Sequence, residues 1–252
     1  MVTNGDFSQE GAEQVTNGDF ATDTDWNKGA GWSIGGGKAT SDGTQVSASY
    51  LLQTLSGISQ GKQYITVFDI DLISGSFRFN TLGGNLIITE SGRYVINSTS
   101  TSGITLYLEA LVGFTGSIDN VSVKEVGIDW DITGTGWNIS DNGLSGLAAE
   151  GNVTQPISTI LGKKYVIKFT ISNWVSGDVY VRPNNSQGTQ FYVNGNGTYT
   201  EEFTGVSNSL VIRARPSIPF TGTISNISLI EITYDTNLPR INYENGCGSW
   251  LF

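Results

Sequence analysis

One long internal repeat constrains this chain more than any other feature. Anchors in its first half recur in the same order about 101 to 106 positions later. That spacing is the scale of a duplicated domain rather than of a solenoid unit. Trp26 matches Trp130, each behind an aspartate, and Trp32 matches Trp137, each behind a glycine. Gly61-Lys62-Gln63-Tyr64 matches Gly162-Lys163-Lys164-Tyr165, and Ser74-Gly75 matches Ser176-Gly177. Gly92 and Tyr94 match Gly197 and Tyr199, Phe114-Thr115-Gly116 matches Phe220-Thr221-Gly222, and Asn120 matches Asn226. The anchors define modules over residues 15–126 and 128–232, with a junction near Gly127. A terminal stretch, 233–252, has no counterpart and reads as a linker entering a further element.

A shorter duplication sits at the start. Val2-Thr3-Asn4-Gly5-Asp6-Phe7 recurs as Val15-Thr16-Asn17-Gly18-Asp19-Phe20. The second copy opens the first module. The first copy, in segment 1–14, has no module directly behind it, and is either the remnant of a lost repeat or a strand that docks elsewhere. The second module lacks its own Asn-Gly-Asp-Phe.

Short runs of Val, Ile, Phe and Tyr alternate with glycine-, serine- and asparagine-rich turns, with 33 glycines in 252 residues, and no helical period longer than about two turns appears. This is the pattern of an all-β sandwich or barrel. Successive strand side chains take opposite faces. Phe77 and Phe79 therefore share the core side, and Arg78 and Asn80 the other. Ile104, Leu106, Leu108 and Ala110 are expected inward, with Tyr107 and Glu109 outward. In the second module Val179, Val181, Leu210, Ile212 and Ala214 take core parity, and Tyr180, Arg182, Val211, Arg213 and Arg215 the outer one.

Chemistry is bounded by what is scarce. The chain has no histidine and one cysteine, Cys247, which removes the commonest general base and any cysteine zinc cluster. A glycosidase needs two carboxylates across a cleft, and Glu109 has no partner legible in sequence, so no enzyme is expected. The net charge of −10 and the lack of a basic stripe argue against nucleic acid and anionic membrane surfaces. No apolar run approaches a membrane span, and no signal peptide is expected at the N-terminus.

Asn-Gly-Asp-Phe followed by Asp-Trp and Gly-Trp resembles the opening of jelly-roll carbohydrate-binding modules. The Gly-Lys-x-Tyr strand resembles their central strand. Leu106 to Glu109 and Gly116 to Val123 resemble their closing strands. The resemblance covers about residues 15–232 and implies two tandem antiparallel β-sandwich jelly rolls that bind carbohydrate without catalysis. The wording is also similar to modules of bacteriophage virion proteins such as tail or head fibres, and Leu238 to Tyr243 with Gly246-Cys247-Gly248 resembles the start of a further fibre domain. That likeness implies a virion-surface, extracellular place, a homo-oligomer that is often a trimer, and as partners a glycan or host surface polysaccharide and other virion proteins. The rival expectation is a structural spacer or decoration module that binds protein chains and no sugar.

By the same resemblance, Tyr107 and Glu109 line the sugar cleft, where Arg78 and Asn80 join them. The second module departs from this pattern, with Arg213 and Arg215 in place of Tyr107 and Glu109. It offers Tyr180 and Arg182, for an acidic ligand or within a spacer. Tyrosine covers the apolar C–H face of a sugar, while carboxylates and guanidinium groups bond its hydroxyls. Trp26, Trp32, Trp130 and Trp137 are expected to close the sandwich cores rather than to stack on sugars, and Trp174 to serve core or module interface. Resembling modules often hold a structural Ca²⁺ between the opening segment and the closing acidic strand. Asp19 and Asp119 are the matching carboxylates, Ala21 stands where an acid is often found, and Ser225 replaces Asp119 in the second module, where no calcium is expected.

Overall fold

In this computed structural model the described residues are 1–101, 104–140, 143–183, 192–205, 208–233, 240–242 and 249–251. Among them the regular structure is all strand. The first half holds β1 (Glu10–Glu13), β2 (Asn27–Lys28), β3 (Trp32–Gly35), β4 (Lys38–Asp42), β5 (Ser49–Thr54), β6 (Gln63–Ser74), β7 (Phe77–Phe79), β8 (Leu86–Ile88), β9 (Gly92–Thr99), β10 (Thr105–Ala110) and β11 (Thr115–Val126). They make one sheet in the order β3-β4-β11-β6-β9, with β1 on the far end of β11, and a second in the order β2-β5-β10-β7-β8. Every pairing is antiparallel.

The second half holds β12 (Asp131–Ile132), β13 (Thr135–Ser140), β14 (Gly143–Pro156), β15 (Lys164–Ser176), β16 (Val179–Pro183), β17 (Gly197–Thr204), β18 (Ser209–Ala214) and β19 (Phe220–Glu231). Its sheet runs β16-β18-β14-β19-β15-β17. The long β14 serves both layers. Its first part pairs with β13 and β19, and its last part with β12 and β18. The turn between them is made at Ala148 and Gly151, both with positive φ (45° and 82°). In the first half the corresponding path is interrupted between β4 and β5. Beyond β19, β20 (Arg240–Asn242) and β21 (Ser249–Leu251) form an antiparallel pair. Cys247 and Phe252 lie outside the described residues.

The interiors follow the expected parity. Phe77, Phe79, Leu106, Leu108 and Ala110 are fully buried in one core, and Val179, Leu210, Ile212 and Ala214 in the other. Ile104 is a correction: it precedes β10 and is 46% exposed. The four repeated tryptophans are all buried. Trp32 packs 6.1 Å from Phe114, and Trp137 packs 5.8 Å from Phe220, so these repeated pairs do the same work in each core. Trp174 is half-buried against the second core, and its indole N–H donates to the Gly177 carbonyl.

The two copies of Val-Thr-Asn-Gly-Asp-Phe dock in different places. The second lies on the first core: Phe20 packs on Trp26 at 5.2 Å, the Trp26 indole N–H donates to Asn17 O, and Thr16 N–H donates to the Gln53 side chain, which donates back to Thr16 O. Val121 N–H donates to Gly18 O. The first copy makes the same set of contacts on the second core. Phe7 packs on Trp130 at 4.9 Å, Trp130 donates to Asn4 O, Thr3 and Gln155 exchange two bonds, and Ile227 N–H donates to Gly5 O. The second module thus has an Asn-Gly-Asp-Phe after all, supplied from the other side of the first module. Each segment enters at a bulge in the closing strand, where Asn120 or Asn226 takes a left-handed conformation (φ 54° and 55°) that asparagine tolerates better than most residues.

This nesting ties the halves together. β1, running from the first copy to the second, pairs with the end of β11, and Lys124 bonds Glu10 there at 2.8 Å. Lys62 reaches Asp131 at 2.6 Å, and the buried Gln63 amide donates to Trp137 O while accepting from Ile139 N–H. Gly127 has φ 63°, which favours glycine at the junction, and it packs directly against the Ile139 side chain.

Candidate functional site

The outer face of the β2-β5-β10-β7-β8 sheet gathers most of the residues expected to meet a sugar. Register sets them in rows. Tyr50 on β5 stands opposite Glu109 on β10, Glu109 opposite Arg78 on β7, and Arg78 opposite Ile87 on β8. In the next row Asn27 stands opposite Leu52, and Leu52 opposite Tyr107. Tyr50 and Tyr107 are 36% and 39% exposed and meet edge to face, 5.9 Å between centroids at 81°. Thr81 fixes the backbone beneath Tyr107 by accepting from its N–H and donating to its carbonyl.

Arg78 and Glu109 form a two-pronged pair, Nε to Oε2 at 2.5 Å and Nη2 to Oε1 at 2.6 Å. The Glu109 side chain is fully buried, while that of Arg78 keeps 32% of its surface. This corrects the expectation that Glu109 stands open: its parity is outward, but it is paired with Arg78 and closed off from solvent. The bonds to Glu109 push the Arg78 pKa further above its ordinary value, against a smaller opposing effect of desolvation. A fork already held by a carboxylate has lost its rotamer freedom before any ligand arrives.

Two open depressions flank the tyrosines. One, about 320 Å³, is mostly polar and is lined by Asn80, Thr81, Gly83, Asn85, Thr105 and Tyr107. The other, about 380 Å³, lies between Asn27-Lys28-Gly29-Ala30 and Val46 to Tyr50. Sequence reasoning named Tyr107, Arg78 and Asn80 and missed Tyr50, Asn27 and Lys28. The alternation of Ser49-Tyr50-Leu51-Leu52-Gln53 already turns Tyr50 away from the core residue Leu51. Its pairing with β10 is long-range and has no local signal.

The second module is built differently at the matching place. Tyr180 and Arg182 are only 6% and 7% exposed, which corrects the expectation that they stand on an open face. Val179 and Val193 bridge the chain there and bring in Tyr192, whose ring meets Tyr180 at 5.1 Å. Arg182 stacks over Tyr180 at 5.1 Å, and Arg215 lies 4.2 Å over Tyr192 while bonded through two nitrogens to Asp178. Aromatic rings and guanidinium groups here satisfy one another.

The carboxylates expected to hold calcium are each engaged locally. Asp19 Oδ1 accepts from Ala21 N–H at 3.3 Å, and Asp119 Oδ1 accepts from Asn120 N–H at 2.7 Å. Among the described residues no three Asp, Glu, His or Cys side chains gather in a metal-holding group.

No family model matches the chain, and no curated protein matches it. Among solved structures it is similar to the N-terminal CBM22-1–CBM22-2 tandem domain of Xyn10C from Paenibacillus barcinonensis, at 9% identity and a TM-score of 0.36, over 88% of this chain and 98% of that one. It is also similar to an anti-sigma factor domain-containing protein, at 8% identity and a TM-score of 0.21, over 73% of this chain and 82% of that one. Likeness at these scores carries no functional argument.

Proposed function

We propose that the chain is a non-catalytic glycan-recognition protein whose site is the outer face of the first module, at Tyr50, Tyr107, Arg78 and Asn80. The observation that supports this best is one sheet face that carries two half-exposed tyrosines, each lining a depression of about 380 or 320 Å³, together with a pre-fixed guanidinium. Both volumes lie within the range of small-ligand sites. Sugar rings offer a flat C–H face and a rim of hydroxyls. Tyrosine covers the first, and Arg78, Asn80 and Asn27 bond the second. In this reading Glu109 is a positioning residue, held below Arg78. Attachment to a host surface polysaccharide from a virion-surface fibre, as a homo-oligomer, belongs to the same proposal on the sequence resemblance alone.

A second reading applies to the second module. Its counterpart residues, Tyr180 and Arg182, are buried and engaged with each other. This favours a spacer that carries and orients the first module.

The test is a glycan-array screen of the intact chain beside Tyr107→Ala. The intact chain should capture a defined set of glycans. Loss of one aromatic face should weaken capture by about tenfold or more, which corresponds to about 1.4 kcal/mol. Equal capture by both proteins would remove Tyr107 from the site, and the absence of any capture across a broad array would favour the spacer reading for the whole chain.

A further inference from the structure

The two copies of Val-Thr-Asn-Gly-Asp-Phe fill two cradles of the same build, but they reach them differently. In the first cradle the bonds from Trp26 to Asn17 and from Thr16 to Gln53 span 9 and 37 positions. In the second, those from Trp130 to Asn4 and from Thr3 to Gln155 span 126 and 152. The whole first module stands between the second cradle and the segment that fills it. We propose that this second cradle is a peptide-acceptor site, that its ligand class is an extended segment carrying Asn-Gly-Asp-Phe, and that the segment works when supplied as a separate molecule.

The cradle reads mostly backbone. Gln155, 1% exposed, holds Thr3 with both atoms of its amide, Trp130 bonds Asn4 O, and Ile227 bonds Gly5 O. Selectivity comes from two positions. A Cβ at Gly5 would lie 1.9 Å from Ile227 O, so only glycine passes there. Phe7, 2% exposed, fills the space against Trp130. After Phe7 the exposed Ser8 and Gln9 lead into β1, which pairs with the first module. Gln9 N–H donates to the Asn4 side chain at 2.9 Å, and beyond Gln9 the covalent link serves to supply local concentration.

The cradle bonds are matched in the two copies, but the loop that follows the second copy also ties it down. Asn17 Nδ2 donates to Thr22 O and Thr24 O, whereas the buried Asn4 Nδ2 has no acceptor among the described residues. The donor segment is thus expected to exchange from the second cradle and not from the first.

A protease site placed at Ser8-Gln9 allows the full chain to fold intact and then be cut. The released segment should co-elute with the body. Melting of the second module should become dependent on peptide concentration, rising as a synthetic peptide of residues 1–9 is added, and a labelled copy of that peptide should exchange in. The same peptide carrying Phe7→Ala should act at least about tenfold more weakly. The proposal is overturned if the segment leaves and the amides of 130–231 keep their protection, if the two peptides act alike, or if labelled peptide does not enter at millimolar concentration. Should the cut chain lose its second module irreversibly, refolding with and without peptide decides. Recovery only with the unmodified peptide supports the site, and equal outcomes overturn it.

Discussion

Replacing Phe7 by alanine should melt the second module ahead of the first, although Phe7 precedes the first module in the chain. Phe7 is 2% exposed and belongs to the core that contains Trp130, Ile139, Val153 and Ile227. Removing a buried phenylalanine costs about 3–5 kcal/mol, because its transfer energy is lost and the space left behind is not refilled. For a unit of this size that corresponds to a fall in Tm of more than about 10 °C. Phe20→Ala should do the same to the first module, whose core holds Phe20 and Trp26. Amide hydrogen exchange separates the two, since each variant should lose protection in its own set of strands. If Phe7→Ala instead loosened residues 15–126 and spared 128–232, the nested arrangement would be wrong.

Gly5→Ala and Gly18→Ala make a matched second pair. A Cβ at either position would lie 1.9 Å from a backbone carbonyl oxygen, Ile227 O for Gly5 and Val121 O for Gly18. Neither glycine has positive φ, so the penalty is steric and not conformational. The obstructing atom is main chain in a closing strand, and it cannot swing aside as a side-chain tip would. Relief requires the segment to lift, which breaks the bond from Ile227 N–H or Val121 N–H. The added methyl should cost about 1–3 kcal/mol, in the second module for Gly5 and in the first for Gly18. Two variants with the same chemistry, 13 positions apart within one duplicated phrase, should therefore weaken opposite halves of the molecule. Denaturant melts followed by tryptophan fluorescence, with exchange protection to assign the halves, would read this out. Equal effects of both on one half would contradict it.

Much of this architecture is legible in the sequence, because it rests on local pattern. Alternation placed Phe77, Phe79, Leu106 and Leu108 inside, and the ordered anchors paired Trp32 with Trp137 and Phe114 with Phe220. Alternation failed where strand boundaries decide, as at Ile104, which stands before β10. What sequence could not show is which cradle takes the first Asn-Gly-Asp-Phe. Two identical phrases carry no label, and the choice is made by a chain path that crosses a whole module. The site shows the same limit. Parity turned Glu109 and Tyr180 outward correctly, but parity does not reveal what lies on top of them. Arg78 covers Glu109 from the next strand, and Tyr192 covers Tyr180 through the bridge between Val179 and Val193. Tyr50 joins Tyr107 only through the pairing of β5 with β10, which lie more than 50 positions apart.

The most direct test of the functional reading is a map of where a bound glycan lies. Amide exchange and side-chain NMR shifts would be followed on the full chain as a saccharide captured on the array is titrated in. The changes should centre on residues 49–54, 77–81 and 105–109, with the Tyr50 and Tyr107 ring signals moving together and the Arg78 guanidinium protons becoming protected. Changes centred on 179–183 and 209–215, with Tyr50 and Tyr107 unmoved, would contradict the assignment of the site to the first module.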